Sequence, residues 1–263
     1  MNQWINWLAF NTDTSEWSLL ADKYAVRNYV IKKGFEDILV PLYGAWDNPD
    51  NISFDQLPSK FVLKINNGSG DTLIIKDKEA TDLQKIKQYF KSLYRRPFGF
   101  DTAEPHYLQI KPKIIAEHLL EPDKDNGHSL IDYKLWCFNG VPYWCFVCSS
   151  RTREHLTIDL YSVDKKWERI EDGNLIYTHH YIKAATETAP PKTLSQMLTI
   201  ASKLSEGFPQ VRIDFYEVNN HLYFGEMTMT SAAGRMDYFT ESALKEMGKL
   251  CKLAYENISA RYS

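Results

Sequence analysis

The run Val211-Arg212-Ile213-Asp214-Phe215-Tyr216-Glu217-Val218, then Asn219-Asn220, then His221-Leu222-Tyr223-Phe224-Gly225-Glu226-Met227-Thr228 reads as two strands joined by a turn. Each strand carries a carboxylate among apolar neighbours. Burying a carboxylate is costly unless a cation or hydrogen-bond donors meet it. Two acids and an arginine on one hairpin therefore suggest a polar site built on a sheet, of a kind that can hold Mg2+.

Register decides whether those acids meet. Side chains alternate along a strand, so Arg212, Asp214 and Tyr216 share one face, and Val211, Ile213 and Phe215 the other. A two-residue loop at Asn219-Asn220 pairs Asp214 with Gly225 and sends Glu226 to the opposite face. A three-residue loop, with an Asn in the left-handed conformation, shifts the register by one. Arg212, Asp214, Glu226 and Thr228 then lie together, over a reverse face of Val211, Ile213, Phe215, Tyr223, Gly225 and Met227. The second register is preferred because its reverse face is nearly apolar. The competing picture is a half-exposed hairpin with two solvated acids.

Composition narrows the class. The chain has 263 residues, 44% hydrophobic and 25% charged, as in ordinary soluble globular proteins. A net charge of −3 argues against a dedicated nucleic-acid binder. Cys137, Cys145, Cys148 and Cys251 are too few for a disulfide scaffold and fit a reduced cytosolic compartment. Cys145 and Cys148 match C-x-x-C, but on a strand they face opposite sides, which favours core packing over zinc or redox use. No secretory signal is visible, and the aromatic start, Met1 to Phe10, is too short to span a bilayer. Those aromatics either pack onto the domain or touch a membrane surface. The expected location is cytoplasmic, alone or peripheral to the inner membrane.

Periodicity predicts one helix from about Thr14 to Lys33, with Trp17, Leu20, Tyr24 and Ile31 near one stripe and Gly34 as its stop. Residues 44–60 read as a surface connection. Strands are expected at 61–65, 73–75, 114–120, 131–138, 141–148 and 156–163, and helices at about 78–94, 193–206 and 240–258. Residues 95–112 and 171–192 read as irregular. Strands joined by hairpins and interspersed with helices suggest α+β.

Several weaker signals lie along this frame. Lys64 precedes the Gly68-Ser69-Gly70 turn, whose backbone N–H groups could cover phosphates; the same pattern also occurs in plain hairpins. Glu117 to Leu120 could edge an apolar slot for a nucleotide base or be an ordinary core strand. Lys134 shares a face with Asp132, as an ion pair or a phosphate site. Arg151 and Arg153 are anion-binding candidates or solvated surface. Asp123-Lys124-Asp125 matches the D-x-D triplet of many glycosyltransferases, a pattern that often arises by chance.

Taken in order, these pieces resemble the ATP-grasp superfamily, and more closely its teichuronopeptide-biosynthesis (TupA-like) branch. The likeness is carried by Ala21-Asp22-Lys23-Tyr24-Ala25-Val26-Arg27, by Phe61 to Gly70, and by Pro112 to Glu117. It continues through Asp132-Tyr133-Lys134, Cys137-Phe138-Asn139-Gly140, and Gly207-Phe208-Pro209 to Glu226-Met227-Thr228. It covers nearly the whole chain. The resemblance implies two α+β subdomains with antiparallel sheets gripping ATP. Residues 1–60 would form a helical and linker region, 61–120 the small subdomain and 121–263 the large one. Lys23 and Lys64 would contact phosphates under the Gly68-Ser69-Gly70 loop. Glu117, His118, Leu119 and Leu120 would form the hinge against adenine, and Glu121 would reach the ribose. Lys134 and Arg212 would act on the transferring phosphoryl group, and Asp214 and Glu226 would hold Mg2+. Thr228 would complete the metal site with a neutral oxygen, where many superfamily members have Asn, or water would take its place.

The activity so implied is an ATP-dependent carboxylate–amine ligase working through an acyl phosphate. It would join an amino acid or small amine to a sugar acid in bacterial cell-surface polymer synthesis. Arg151, Arg153 and Arg235 are candidates for binding the carboxylate. A kinase on the same nucleotide grip, a glycosyltransferase using the D-x-D triplet, and a nonenzymatic nucleotide-binding module are the alternatives.

Overall fold

A computed structural model describes residues 1–96, 98–123, 129–152, 154–163 and 166–261. Helix α1 (Asn2–Asn11) comes first, and the helix expected over residues 14–33 is two, α2 (Ser15–Ala21) and α3 (Val26–Lys32). The Asp22 carboxylate causes the break between α2 and α3. It accepts from the amides of Tyr24 (2.8 Å) and Ala25 (3.1 Å), a local bond that competes with helix. The expected stripe splits accordingly: Trp17 and Leu20 are buried, whereas Tyr24 and Ile31 are exposed. Gly34 does stop α3, with φ +88. The α1 residues Ile5, Leu8 and Ala9 are buried, and Trp7 meets Tyr255 edge-on at 5.4 Å. Of the N-terminal aromatics, Trp4 packs against the core and Trp4 and Trp7 both meet Tyr255, whereas Phe10 is exposed.

Residues expected to form a surface connection contain a strand, β1 (Leu42–Trp46). It joins β2 (Phe61–Ile65), β3 (Thr72–Ile75) and β4 (Ile114–Glu117) in an antiparallel sheet of order β1-β4-β2-β3. Helix α4 (Leu83–Tyr94) covers one face, burying Ile86 and Phe90. It starts later than its periodicity suggested because Asp82 caps the amides of Gln84 and Lys85. Phe61, Leu63, Ile65, Ile114 and Ala116 belong to this small core. By alternation, Lys64 and Glu117 point the other way. Strand β4 ends at Glu117 rather than Leu120.

The second sheet holds β5 (Asp132–Phe138), β6 (Val141–Arg151), β7 (Leu156–Ser162), β8 (Glu168–Arg169), β10 (Val211–Val218) and β11 (His221–Thr228) in the order β11-β10-β5-β6-β7-β8. A short strand in the expected loop, β9 (Tyr181–Lys183), adds parallel to β7. Helix α5 (Leu194–Ser205) buries Met197, Ile200, Ala201 and Leu204 in the large core. Its N-terminus is satisfied by Glu217 rather than by the Thr193 side chain; the Glu217 carboxylate accepts the Thr193 amide at 2.7 Å. The C-terminal helix α6 (Glu241–Ser259) is capped by Thr240, as its sequence indicated.

The acidic hairpin brings its acids together by a different route from the one expected. Its turn has two residues, Asn219 (φ +52) and Asn220 (φ +60), with Val218 opposite His221. Positive φ at both positions is the twist-matched hairpin turn. The register shifts instead inside the ladder: Phe215 pairs with Phe224, yet Asp214 pairs with Glu226 and Arg212 with Thr228. Gly225 is the extra residue of a β-bulge. The reverse face is corrected as well: Phe224 faces the core with Phe215, while Tyr223 pairs with Tyr216. A Cβ on Gly225 would lie 3.0 Å from the Asp214 carbonyl oxygen and 3.1 Å from the Tyr216 ring. Gly225→Val should therefore cost about 1–3 kcal/mol of stability by overpacking. The check is a lower urea midpoint at unchanged slope; an unmoved midpoint would mean the bulge has room to spare.

Candidate active site

On the large sheet, Asp214 is 1% exposed and is met by two cations. Arg212 Nε lies 2.7 Å from its Oδ1 and Arg212 Nη2 2.8 Å from its Oδ2, a bidentate pair. Lys134 Nζ, on the neighbouring strand β5 and directly opposite in register, is 2.5 Å from Oδ2. Lys134 also stands 3.7 Å from Asp132 on its own strand face. Although burial opposes their charge, Asp214 holds both Lys134 and Arg212 above their ordinary pKa values.

Arg212 is the hub. Its Nη2 also donates to Glu226 Oε1 (3.0 Å) and to Thr228 Oγ1 (3.0 Å), and Nη1 reaches Ser231 Oγ at 3.4 Å. The guanidinium sits 5.8 Å from the Trp136 ring centroid. Thr228 Oγ1 donates to Glu226 Oε1 at 3.2 Å. Burial pushes the Glu226 carboxyl up, but Lys23, Arg212 and Lys134 outweigh it and bring its pKa down to about 2.

The small sheet supplies the facing half. Lys64 Nζ lies 2.7 Å from Glu117 Oε2, and Arg27 Nη1 3.3 Å from Oε1. Lys23 comes from the break between α2 and α3. Its amide donates to the Asn66 carbonyl at 3.1 Å and its Nζ to the Gly68 carbonyl at 2.5 Å. Burial lowers the Lys23 pKa and nearby Lys64 lowers it further, against Glu226 and Glu117. Ser69 and Gly70 are exposed at the loop tip, and Gly70 has φ +80. Among the described residues, neither amide of that pair donates a hydrogen bond within the protein.

The remaining candidates are more dispersed. His118 is exposed, with Nδ1 2.8 Å from the Tyr43 hydroxyl, and Leu119 and Leu120 are half-buried. Glu121 pairs with Lys60 at 2.9 Å, both exposed. Arg151 is exposed beside Asp132, 3.2 Å away, at the rim of the Lys134 cluster. Arg235 is exposed after the turn at 231–234. Arg153, and the Lys124 and Asp125 of the D-x-D triplet, lie outside the described residues. Cys145 and Cys148 are buried, and burial raises both thiols, Cys148 to about 12; they are core residues.

Three further residues join the site. Arg27 pairs with Glu117 and lies within the Asp22–Arg27 run that marks the helix break. Tyr216 shares the face of Asp214 and is held up in pKa by burial and by Asp132, Glu226 and Asp214; strand alternation alone points to it. Tyr107 is also raised by burial and then by Glu226 and Glu104. It comes from the irregular segment 95–112, where no periodicity marks it.

The oxygen donors of Asp214 and Glu226 suit a hard cation. Among the described residues no cluster of three or more His, Cys, Asp or Glu could hold a metal. Two carboxylates, with the other positions filled by water or phosphate, is the manner of Mg2+.

A lysine and glycine turn on one sheet thus face an arginine and two acids on another. Residues 3–252 match the family model "TupA-like ATPgrasp". The chain belongs to the TupA-like ATP-grasp family. Among solved structures it is similar to an L-amino acid ligase from Bacillus licheniformis, with 11% identity and a TM-score of 0.53 over 87% of this chain and 48% of that one. It is also similar to D-alanine–D-alanine ligase from Helicobacter pylori, with 14% identity and a TM-score of 0.48 over 89% and 61%. This TupA-like chain therefore spans about half to three-fifths of the length of those two neighbours. No curated protein matches it. The fold is that of the ATP-grasp carboxylate–amine ligases, α+β as its sequence suggested. No helix among the described residues of this TupA-like protein is long and apolar enough to cross a membrane.

The charge layout makes a specific pH prediction. The Glu226 pKa is depressed on folding, so its stabilising contribution is full above its unfolded value and is lost as pH falls through about 2. Glu226 keeps 38% of its side-chain surface, so solvent screens part of the effect. Lys23→Met removes the first cation acting on it and should raise the Glu226 pKa. A carboxyl NMR titration reads this directly, and an unshifted midpoint would show that the Lys23 charge does not reach Glu226.

Proposed function

We propose that this protein is an ATP-dependent carboxylate–amine ligase that forms an amide through an acyl phosphate. The single observation that carries this reading is the hairpin face on which Asp214 and Glu226 stand opposite each other with Arg212 bonded to both. Around it Lys23, Lys64 and Lys134 supply cations, and Ser69 and Gly70 stand exposed at the tip of their loop.

In this reading ATP lies between the two sheets. Lys23 and Lys64 bind its phosphates, and the Gly68-Ser69-Gly70 loop covers them through backbone amides. Glu117 is engaged by Lys64 and Arg27 and positions them, while the backbone from Glu117 to Leu120 meets adenine and Glu121 reaches the ribose. Residues 61–120 act as the smaller gripping unit and 121–263 as the larger, with residues 1–60 serving both. Asp214 and Glu226 hold Mg2+, which when bound neutralises developing charge on the phosphoryl oxygens. Thr228 orients Glu226 and Arg212 and offers a neutral oxygen where an Asn amide stands elsewhere.

The substrate carboxylate attacks the γ-phosphorus; the new O–P bond forms as the bond to the β-γ bridging oxygen breaks, releasing ADP. Arg212 and Lys134 stabilise the transferring group, mainly by positioning and charge. A neutral amine then attacks the acyl carbon, the C–O bond to phosphate breaks, and the nitrogen sheds its extra proton to the departing phosphate or solvent. Arg151, Arg153 and Arg235 are the carboxylate-binding candidates. From the family's link to cell-surface polymers, we take the carboxylate to be a sugar acid such as a uronic acid. The amine is an amino acid or small amine. The setting is the bacterial cytoplasm, alone or at the inner membrane.

ADP release is expected only when carboxylate and amine are both present, with an amide product by mass spectrometry. A product that keeps the phosphate would indicate a kinase, and consumption of a nucleotide sugar a glycosyltransferase. The double variant Asp214→Asn, Glu226→Gln should lose at least about 100-fold in turnover, as removal of charge-stabilising groups commonly does. Unchanged ATP turnover in it would remove the metal site from the mechanism.

A further inference from the structure

Outside the charge cluster just described, one buried acid stands without a cation. Glu104 is 7% exposed. Its Oε1 accepts a hydrogen bond from the Thr230 hydroxyl, and among the described residues no Lys, Arg or His lies within ion-pair distance of it. All the other acids of the site, Glu117, Asp132, Asp214 and Glu226, have such a partner. A carboxylate taken out of water with one neutral donor is expensive.

The position is held firmly, which shows that the cost is built in. Glu104 belongs to the irregular segment that passes from α4 back to β4. Its amide donates to the Gly99 carbonyl at 2.8 Å, and Gly99 has φ +95, with no room for a side chain against the Glu104 carbonyl. The next residues are pinned to α2. The fully buried His106 meets Trp17 edge-on at 5.7 Å, and its carbonyl accepts from Ser18 Oγ at 2.8 Å. Both sides of the Glu104–Thr230 contact carry left-handed alanines: Ala103 (φ +59) just before Glu104, and Ala232 and Ala233 (φ +49 and +51) just after Ser231. Such conformations cost energy in a residue with a Cβ and cluster where a site must be shaped.

The same contact places Glu104 beside the reacting centre. Thr230 follows Thr228 by two residues, and the neighbouring Ser231 Oγ is bonded to Arg212. Tyr107, three residues after Glu104, is near enough to feel the charges of Glu226, Glu104 and Arg212 together.

We propose that Glu104, oriented by Thr230, binds the ammonium group of the amine substrate and holds it next to the acyl-phosphate site, where it loses one proton to solvent before the nitrogen, now neutral, attacks the acyl carbon. This rests on the ligase reading above and deepens it. The ligand supplies the cation that the protein does not, and Arg212 stays free for the phosphoryl group and Glu226 for the metal. Recognition is of a primary ammonium, so the class is an amino acid or aliphatic amine rather than a neutral amide or alcohol.

The test separates amine binding from acyl-phosphate formation. Hydroxylamine, uncharged at neutral pH, traps an acyl phosphate as a hydroxamate and does not need an ammonium site. Wild type and Glu104→Gln are compared with glucuronate and galacturonate as carboxylates. The nucleophile is either hydroxylamine or each of the proteinogenic amino acids. The expected result is unchanged hydroxamate formation and a rise of about 10- to 100-fold in KM for the amine, the size of a lost charged hydrogen bond. Glu104→Asp, which retracts the charge by one methylene, should show a smaller rise and is the variant to read if Glu104→Gln does not fold. Unchanged amine KM in the folded variant overturns the inference. So does equal loss of hydroxamate and amide, which would make Glu104 merely structural. A wild type that forms hydroxamate but accepts none of the amines overturns it too, because a site keyed to ammonium should take at least one. A wild type that forms neither product refutes the ligase reading itself.

Discussion

The bidentate pair between Arg212 and Asp214 is the interaction on which the rest of the site depends. Asp214 is sealed in the sheet, and an ionised carboxylate there is tolerable only because Arg212 and Lys134 meet both its oxygens. Those bonds fix the guanidinium, and the fixed guanidinium then sets Glu226, Thr228 and Ser231 around it. Arginine suits this hub because its planar fork serves several acceptors at once, which a lysine ammonium could not match in direction.

Much of this was legible in sequence because it follows from alternation. Arg212, Asp214 and Tyr216 must share a face of any strand, and Asp132 and Lys134 likewise. The meeting of Asp214 with Glu226 was also foreseen, but for the wrong reason. An odd-length turn and a bulge shift register equally, and only close packing of the Asp214 carbonyl against Gly225 distinguishes them. The helix break at Asp22 was missed because its apolar spacing continues through the break, while a local side-chain bond to two amides decides the backbone. That miss mattered, since the break delivers both Lys23 and Arg27. Strand β1 and the segment holding Glu104 and Tyr107 left no periodic trace. Their conformations come from tertiary contacts, such as pairing of β1 with β4 and the docking of His106 on α2.

The charges of the two sheets are interleaved rather than segregated. Lys64 and Arg27 share Glu117, Lys134 shares Asp214 and Asp132, and Lys23 is drawn towards Glu226 from the opposite unit. Burying so many cations together would lower their pKa values, as it does for Lys23, were the acids not placed among them. The fold can thus keep several cations charged in one cleft without a large single-sign field.

That interleaving bears on how a phosphate-rich ligand could enter. A cleft of bare cations would attract anions strongly but would be self-repelling before they arrived. Here each cation already has a carboxylate or carbonyl, so a nucleotide with its divalent ion exchanges partners. On the proposed reading, phosphate oxygens would take over Lys23, Lys64 and Lys134, while the divalent ion would take over Asp214 and Glu226. Among the protein's own groups, the largely buried Lys134 and Asp214 are already desolvated and paired before such an exchange. Glu104 does not fit this pattern. Among the described residues it has no cation to give up, so neither phosphate nor metal gains by an exchange with it, and a second metal there would have a single carboxylate to bind. A positively charged organic group is the partner that its burial, its lone hydroxyl donor and its place beside Arg212 leave for it.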